Sequence, residues 1–185
     1  MRSRNARGQS GTYHPLVKAL HWGIFVAMAG QYGLAWLMPK AHRGTPPDAL
    51  LSAHDSLGLL LVVLTLLRLA VRALTQSPRP SRGAAPWQTG LAHFTHVTLY
   101  AAVLLTATMG WANAARRGWE ISLFGLGPLP ALCSQGDALC RSFAHYHHWA
   151  VYILAGLVGL HLLGVLFHML LLRDQILVRM LPRSS

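Results

Sequence analysis

Acidic side chains are almost missing from this sequence. Asp and Glu together number 5 in 185 residues, and all charged residues amount to 11%, against 53% apolar. A soluble domain carries roughly 25% charged residues. The deficit excludes an ordinary water-facing surface over most of the chain and points to lipid as the solvent. Cysteine is scarce too. Cys133 and Cys140 stand without any Cys-x-x-Cys-His or zinc-type spacing, which excludes a covalently attached c-type haem and a zinc site of that kind. Both fall in one long loop, where an oxidising compartment would permit a disulfide; two free thiols are the alternative. There is no P-loop, no Gly-x-Gly-x-x-Gly and no evident internal repeat. A net charge of +11 would suit nucleic acid. The basic residues stand at the ends of apolar runs, however, so no nucleic-acid partner is expected.

What is present is four long apolar runs. Ala19 to Met38 carries no Asp, Glu, Lys or Arg; a second runs from about Leu50 to Leu74 around Arg68 and Arg72; Gly83 to Ala115 and Ser142 to Leu172 are uncharged. A spanning helix needs about 20 mostly apolar residues, and in hydrocarbon the backbone must satisfy its own hydrogen bonds, which makes these runs helices. The expected fold is all-α: an integral membrane four-helix bundle, one domain over 1–185, with helices at about 15–38, 50–74, 90–114 and 142–172. The first run lacks a small-residue cleavage site and carries Trp22, Gln31, Tyr32 and Trp36, so it reads as a span and not a signal peptide. Pro78, Pro80 and Pro86 mark the loop after the second run as irregular.

Lys and Arg set the orientation. Arg2, Arg4, Arg7, Lys18, Arg68, Arg72, Arg79, Arg82, Arg173, Arg179 and Arg183 flank one side; Lys40, Arg43, Arg116, Arg117 and Arg141 flank the other. The richer side is the cytoplasmic one, which places both termini in the cytoplasm. Asp48, Asp55, Glu120 and Asp137 fall on the outer side, and Trp36, Trp87, Trp111 and Trp149 read as interfacial anchors.

Eleven histidines in so apolar a chain is the informative feature. Ionisable residues inside spans are rare and usually functional, and neutral imidazole ligates haem iron well in the core of a helix bundle. His147 and His161 are fourteen residues apart on helix four, about 40° around the axis and about 21 Å along it. His148 and His145 lie roughly 140° and 160° from His161 and point elsewhere. His21 starts helix one on the inner side, level with His161; His54 starts helix two on the outer side, level with His147. Two stacked bis-histidine sites follow, with His21, His54, His147 and His161 as axial ligands of two haem irons. His168 shares the stripe two turns further in. It would replace His161 only if helix four, about 46 Å long against a roughly 30 Å hydrocarbon core, sat shallower. His14 and His42 lie in aqueous segments, and His93 and His96 read as helix–helix hydrogen-bonding residues. Gly58 near His54, and Gly156, Gly159 and Gly164 near His161, would let a porphyrin approach the backbone, or serve helix packing. A histidine-lined proton or metal transporter is the rival reading; it asks for acids within the bundle, and helices one, three and four have none.

The chain resembles the bacterial cytochrome b-561 family of four-helix di-haem membrane cytochromes. The resemblance rests on an ordered set of stretches. They are Tyr13 with Leu20-His21-Trp22, His54 with Gly58 and Leu66-Leu67-Arg68-Leu69, and Gly90-Leu91-Ala92-His93 with His96 and Tyr100. The set closes with His147, Gly159-Leu160-His161, His168, Arg173-Asp174 and Arg179-Met180-Leu181-Pro182. It implies two haem b, on His21, His54, His147 and His161, and electron transfer in the bacterial inner membrane between the quinone pool and a second redox partner. Some relatives oxidise superoxide at the outer face and reduce ubiquinone; others are haem-bearing anchor subunits of hydrogenases or dehydrogenases, which need a partner protein. Arg116, Arg117, Arg141, Lys40 and Arg43 would form a positive outer rim that steers superoxide, or would contact lipid phosphates. The charge count makes a first prediction: a reporter enzyme fused near Arg116 reports the outside of the cytoplasmic membrane, and cytoplasmic activity there inverts the topology.

Overall fold

A computed structural model describes residues 12–39, 46–76, 78, 85–173 and 176–181. Lys40, His42, Arg43, Arg79, Arg82, Asp174, Pro182, Arg183 and the N-terminal arginines lie outside the described residues. The helices are α1 (Pro15–Leu37), α2 (Ala49–Leu74), α3 (Pro86–Arg116), α4 (Ala138–Phe167, prolonged by a π-helical turn His168–Leu172) and α5 (Ile176–Met180). Each start has a local cause. Pro15 opens α1, where a missing N–H loses nothing, and His14 Nδ1 accepts from Leu16 N. Asp48 caps α2 by accepting from Leu51 N at 2.8 Å.

Two helices begin a turn earlier than the sequence reading places them. α3 starts at Pro86, not near 90, because Pro suits the first helical position and Gln88 Oε1 accepts from Ala85 N. α4 starts at Ala138, not Ser142: Asp137 Oδ1 accepts from Cys140 N, and Arg141, taken as the end of an apolar run, sits inside the helix. Cys133 and Cys140 are joined by a disulfide, Cα–Cα 6.5 Å, across that junction.

The packing is that of a membrane protein. Phe25, Val26, Val63, Leu66, Leu67, Leu160 and Leu163 are exposed, while Lys18, His54, Ser56, Thr65, Arg68 and Thr106 are buried. Among the described residues three helices are long and apolar enough to cross a membrane: α2, α3 and α4 with its π turn. α1, at 23 residues, has the length. It falls short in composition because Lys18, His21, Gln31 and Tyr32 interrupt it, and all four side chains turn onto neighbouring elements. α1 packs along α2 and α3 along α4, with α2 on α3 between them. At mid-height one side chain from each helix, Ala27, Leu61, Val103 and Leu154, forms a buried apolar layer.

The ends are closed differently. On the α3–α4 side the loop folds back over the bundle. Ser56 Oγ, buried on α2, donates to Ser122 O at 2.9 Å and accepts from Phe124 N at 3.3 Å. At the opposite end Arg173 takes a left-handed conformation that stops α4. The chain then returns as α5, whose terminal carbonyls accept from α1: Trp22 Nε1 to Met180 O, 3.0 Å, and Lys18 Nζ to Leu181 O, 3.1 Å. Ser56→Ala leaves a carbonyl and an amide of the loop unmet, which should cost about 1–3 kcal/mol; thermal unfolding in detergent should show a lower midpoint, with faster proteolysis of the loop.

Candidate haem-binding site

Periodicity on two helices builds the site. On α4, His147, Leu154 and His161 follow at intervals of seven; on α2, His54, Leu61 and Arg68 do the same. Seven residues are about 10.5 Å and within about 20° of two full turns. Each helix therefore offers a stripe with the apolar layer in its middle and polar groups above and below.

On the loop side of that layer the His54 and His147 rings meet edge-on with centroids 6.4 Å apart. On the other side His21 and His161 do so, also at 6.4 Å. Two imidazoles bound to one metal from opposite sides, with bonds of about 2 Å, hold their centroids roughly 6.3 Å apart. Both pairs therefore have the spacing of a bis-histidine centre. At His147 the hydrogen bonding also fits. Thr106 O can only accept, so His147 Nδ1–H donates to it at 2.8 Å and Nε2 keeps its lone pair for a metal. Gln31 Nε2 donates to His54 O at 3.0 Å and faces His54 Nε2 at 3.2 Å, which makes that nitrogen an acceptor whose lone pair Gln31 would have to yield to a metal; among the described residues His54 Nδ1 and Gln31 Oε1 are buried without a partner. A Cβ on Gly110 of α3 would stand 3.0 Å from His147 Cε1 and 3.2 Å from Nδ1. A side chain there would press the ring aside by a few tenths of an ångström.

Several residues join the site that the sequence did not single out. His96, read as a packing residue, has its ring 5.6 Å from that of His161, nearer than His21. Arg68 donates from Nη1 to His21 Nδ1 at 2.5 Å and from Nε to Tyr100 Oη at 3.0 Å; neutral His21 then carries its own proton on Nε2, and a metal there needs that proton moved to Nδ1 and this bond released. Asp55 lines a cavity of about 30 Å³ with Gln31, His54, Gly58, Gly110 and Trp111. Trp111 and Ile121 separate that cavity from a cleft of about 260 Å³ under the loop. The spacing of His54 and Arg68, equal to that of His147 and His161, was the available signal for Arg68; nothing in one helix marks Gly110.

The remaining expected positions fall outside. His93 is exposed. His145 and His148 are exposed and stack with Trp149 and Tyr152 on the outer surface of α4. His168 packs edge-on against Phe167 in the π turn. Of the glycines, Gly58 would meet Gln31 Nε2 at 3.2 Å, whereas a Cβ on Gly156, Gly159 or Gly164 meets nothing within 4 Å, so helix packing does not require glycine there. In the expected positive rim, Arg116 Nη2 donates to Asn113 Oδ1 at 3.3 Å and Arg117 lies over the Trp119 ring at 4.9 Å; Arg141 is exposed, and Lys40 and Arg43 are outside the described residues.

A helical membrane bundle with paired inward histidines is the architecture of a membrane b-type cytochrome. A family model described as prokaryotic cytochrome b561 matches residues 12–183, and the chain belongs to that family, whose members carry b-type haem. Three relatives align over most of both chains. Cytochrome b561 homolog 2 of Escherichia coli (strain K12) is 25% identical over 174 residues, 94% of this chain and 93% of its own. The probable superoxide oxidase CybB of Yersinia pestis is 26% identical over 172 residues, 93% and 97%. Cytochrome b561 homolog 1 of Escherichia coli (strain K12) is 28% identical over 169 residues, 90% and 94%. The crowding of His147 carries a prediction. Gly110→Ala forces the ring off its position, an overpacking worth about 1–3 kcal/mol, and lowers the haem bound per purified chain. Gly58→Ala, which meets only the end of the Gln31 side chain, should do so less.

Proposed function

We propose that this chain is a di-haem b cytochrome that carries electrons across the membrane, with His54 and His147 as axial ligands of the outer haem and His21 and His161 as those of the inner one. The observation that carries the reading is the pair of 6.4 Å histidine juxtapositions on opposite sides of one apolar layer. Haem b at each pair supplies reversible one-electron chemistry inside hydrocarbon, which no protein side chain here offers. The helices hold the imidazoles, Thr106 O fixes the tautomer of His147, and the leucine layer keeps water from joining the two levels. Both termini lie in the cytoplasm; the charge asymmetry supports this, as does a disulfide in the α3–α4 loop, the side where an oxidising compartment is then found.

The redox partners are superoxide outside and ubiquinone inside. The name of the Yersinia pestis relative supports the donor, and Arg116 and Arg117 at the outer end of α3 supply charge that would attract a small anion. Each superoxide gives up one electron and leaves as dioxygen; two such electrons and two protons convert ubiquinone to ubiquinol. A haem-bearing anchor subunit would use the same histidines but need a soluble partner, so turnover by the isolated chain in quinone-loaded liposomes separates the two.

The ligand assignment is tested by counting haem in reduced-minus-oxidised spectra of purified variants. His21→Ala and His161→Ala should each remove the same one of two signals, and His54→Ala and His147→Ala the other, leaving one haem per chain. If His161→Ala keeps both haems while His168→Ala loses one, the inner ligand is wrong.

A further inference from the structure

We infer that Arg68, seated on Tyr100, is a fixed counter-charge of the inner histidine pair and makes the inner site the higher-potential one, so that electrons run inward. The inference rests on the bis-histidine reading above.

Arg68 lies on the α2 stripe that begins with His54 and passes through Leu61, and only 4% of it is exposed. A charge at this depth in a span is expensive and is kept for function. Its neighbour Arg72, one turn further toward the helix end, shows the ordinary alternative: its guanidinium rests on the Tyr13 ring, 5.1 Å away, near the end of the bundle. Arg68 instead turns inward. It donates to Tyr100 Oη, its guanidinium carbon stands 5.8 Å from the centre of the Tyr100 ring, and its Nη1 lies 2.5 Å from His21 Nδ1, a bond that a His21 ligating through Nε2 gives up while the charge, seated on Tyr100, stays at that level. The His161 ring lies beyond that of His21, 6.4 Å from it. None of these partners is an anion, and no carboxylate among the described residues pairs with it. Arginine cannot shed its proton, so among the described residues the inner level holds a buried positive charge beside His21 with no anion against it.

The outer level is built the other way. His147 Nδ1–H donates to the Thr106 carbonyl, the negative end of a dipole, which raises the basicity of the ligating nitrogen. Gln31 is neutral, and Asp55 is the one ionisable lining residue besides His54. Reduction adds one negative charge at either level. A fixed cation favours that charge at the inner level; a carbonyl and a more basic ligand oppose it at the outer. Burial strengthens both effects, since low dielectric screens little.

The test is an optical redox titration of the purified, haem-loaded full chain in nanodiscs. The wild type should give two one-electron waves, the higher one absent from His21→Ala and the lower one absent from His147→Ala. Arg68→Gln should lower the inner reduction equilibrium tenfold or more, 59 mV per tenfold for one electron, and leave the outer wave in place. Arg68→Lys, which keeps the charge, should retain most of the potential. Tyr100→Glu, which leaves the arginine but gives it an anion, should lower the same wave even if Arg68→Gln loads poorly. Unshifted waves in loaded Arg68→Gln or Tyr100→Glu, equal shifts of both waves, or a higher outer wave in the wild type each overturn the inference while leaving the ligands assigned. If the wild type holds a single haem, or His21→Ala and His161→Ala remove different signals, the bis-histidine reading itself fails and takes this inference with it.

Discussion

Polar side chains in hydrocarbon have nowhere to go but inward, and this constraint shapes the whole bundle. A soluble protein buries leucine and exposes charge. Here many leucines and phenylalanines of α1, α2 and α4, such as Phe25, Leu66, Leu160 and Leu163, face outward, and the buried set includes Lys18, His54, Ser56, Thr65, Arg68 and Thr106. The inward groups must then find partners on other helices. They do so through side chain to carbonyl bonds: His147 to Thr106 O, Tyr32 to Val151 O, Gln31 to His54 O, Trp22 to Met180 O. The hydrogen bonds that position the histidines are thus the same ones that hold the helices together.

The seven-residue interval organises these groups by height. Because seven residues nearly complete two turns, a histidine, a leucine and a second polar residue stack on one face of α2 and again on α4. The leucines meet Ala27 and Val103 to close the middle. What results is two polar levels with an apolar floor between them, each level served by more than one helix. Gly110 belongs to this order as much as the ligands do, since the His147 ring occupies the space its side chain would fill.

The parts of this arrangement that live on one helix were legible in the sequence. The helices, the stripe of His147 and His161, and the outward turn of His145 and His148 follow from length, hydropathy and a 100° step. What depends on facing across helices was legible only in part: chain order and orientation set His21 level with His161 and His54 with His147, the pairs whose rings stand 6.4 Å apart, but not the neighbours those pairs have. Arg68 looked like a flanking charge that orients the chain, because its distance from the nearest water depends on how α2 sits among its neighbours. His96 looked like a packing residue, because only the approach of α3 to α4 puts it beside His161. The early starts of α3 and α4 were hidden by giving more weight to the limits of apolar runs than to caps: Pro86 with Gln88, and Asp137, mark those starts, while Arg141 misleads. Nothing in the composition of the C-terminal stretch foretold that α5 would turn back onto Lys18 and Trp22.

That return bears on how the inner level is kept open. α1 packs closely on α2, and α3 on α4, yet α1 and α4 hardly approach along their backbones. Helices in direct contact stand about 8–10 Å apart, too near for a planar macrocycle with a histidine on each face. A wider seam is unstable unless something spans it. Here it is spanned at one end by Tyr32 reaching Val151 O and at the other by Trp22 and Lys18 reaching the carbonyls of Met180 and Leu181. His21 and His161 lie between these struts. The seam is therefore bridged at both ends by hydrogen bonds from α1, with the contact of Ala27 and Leu154 between them, and the polar residues that make those bonds are part of why the composition of α1 falls short of a simple span.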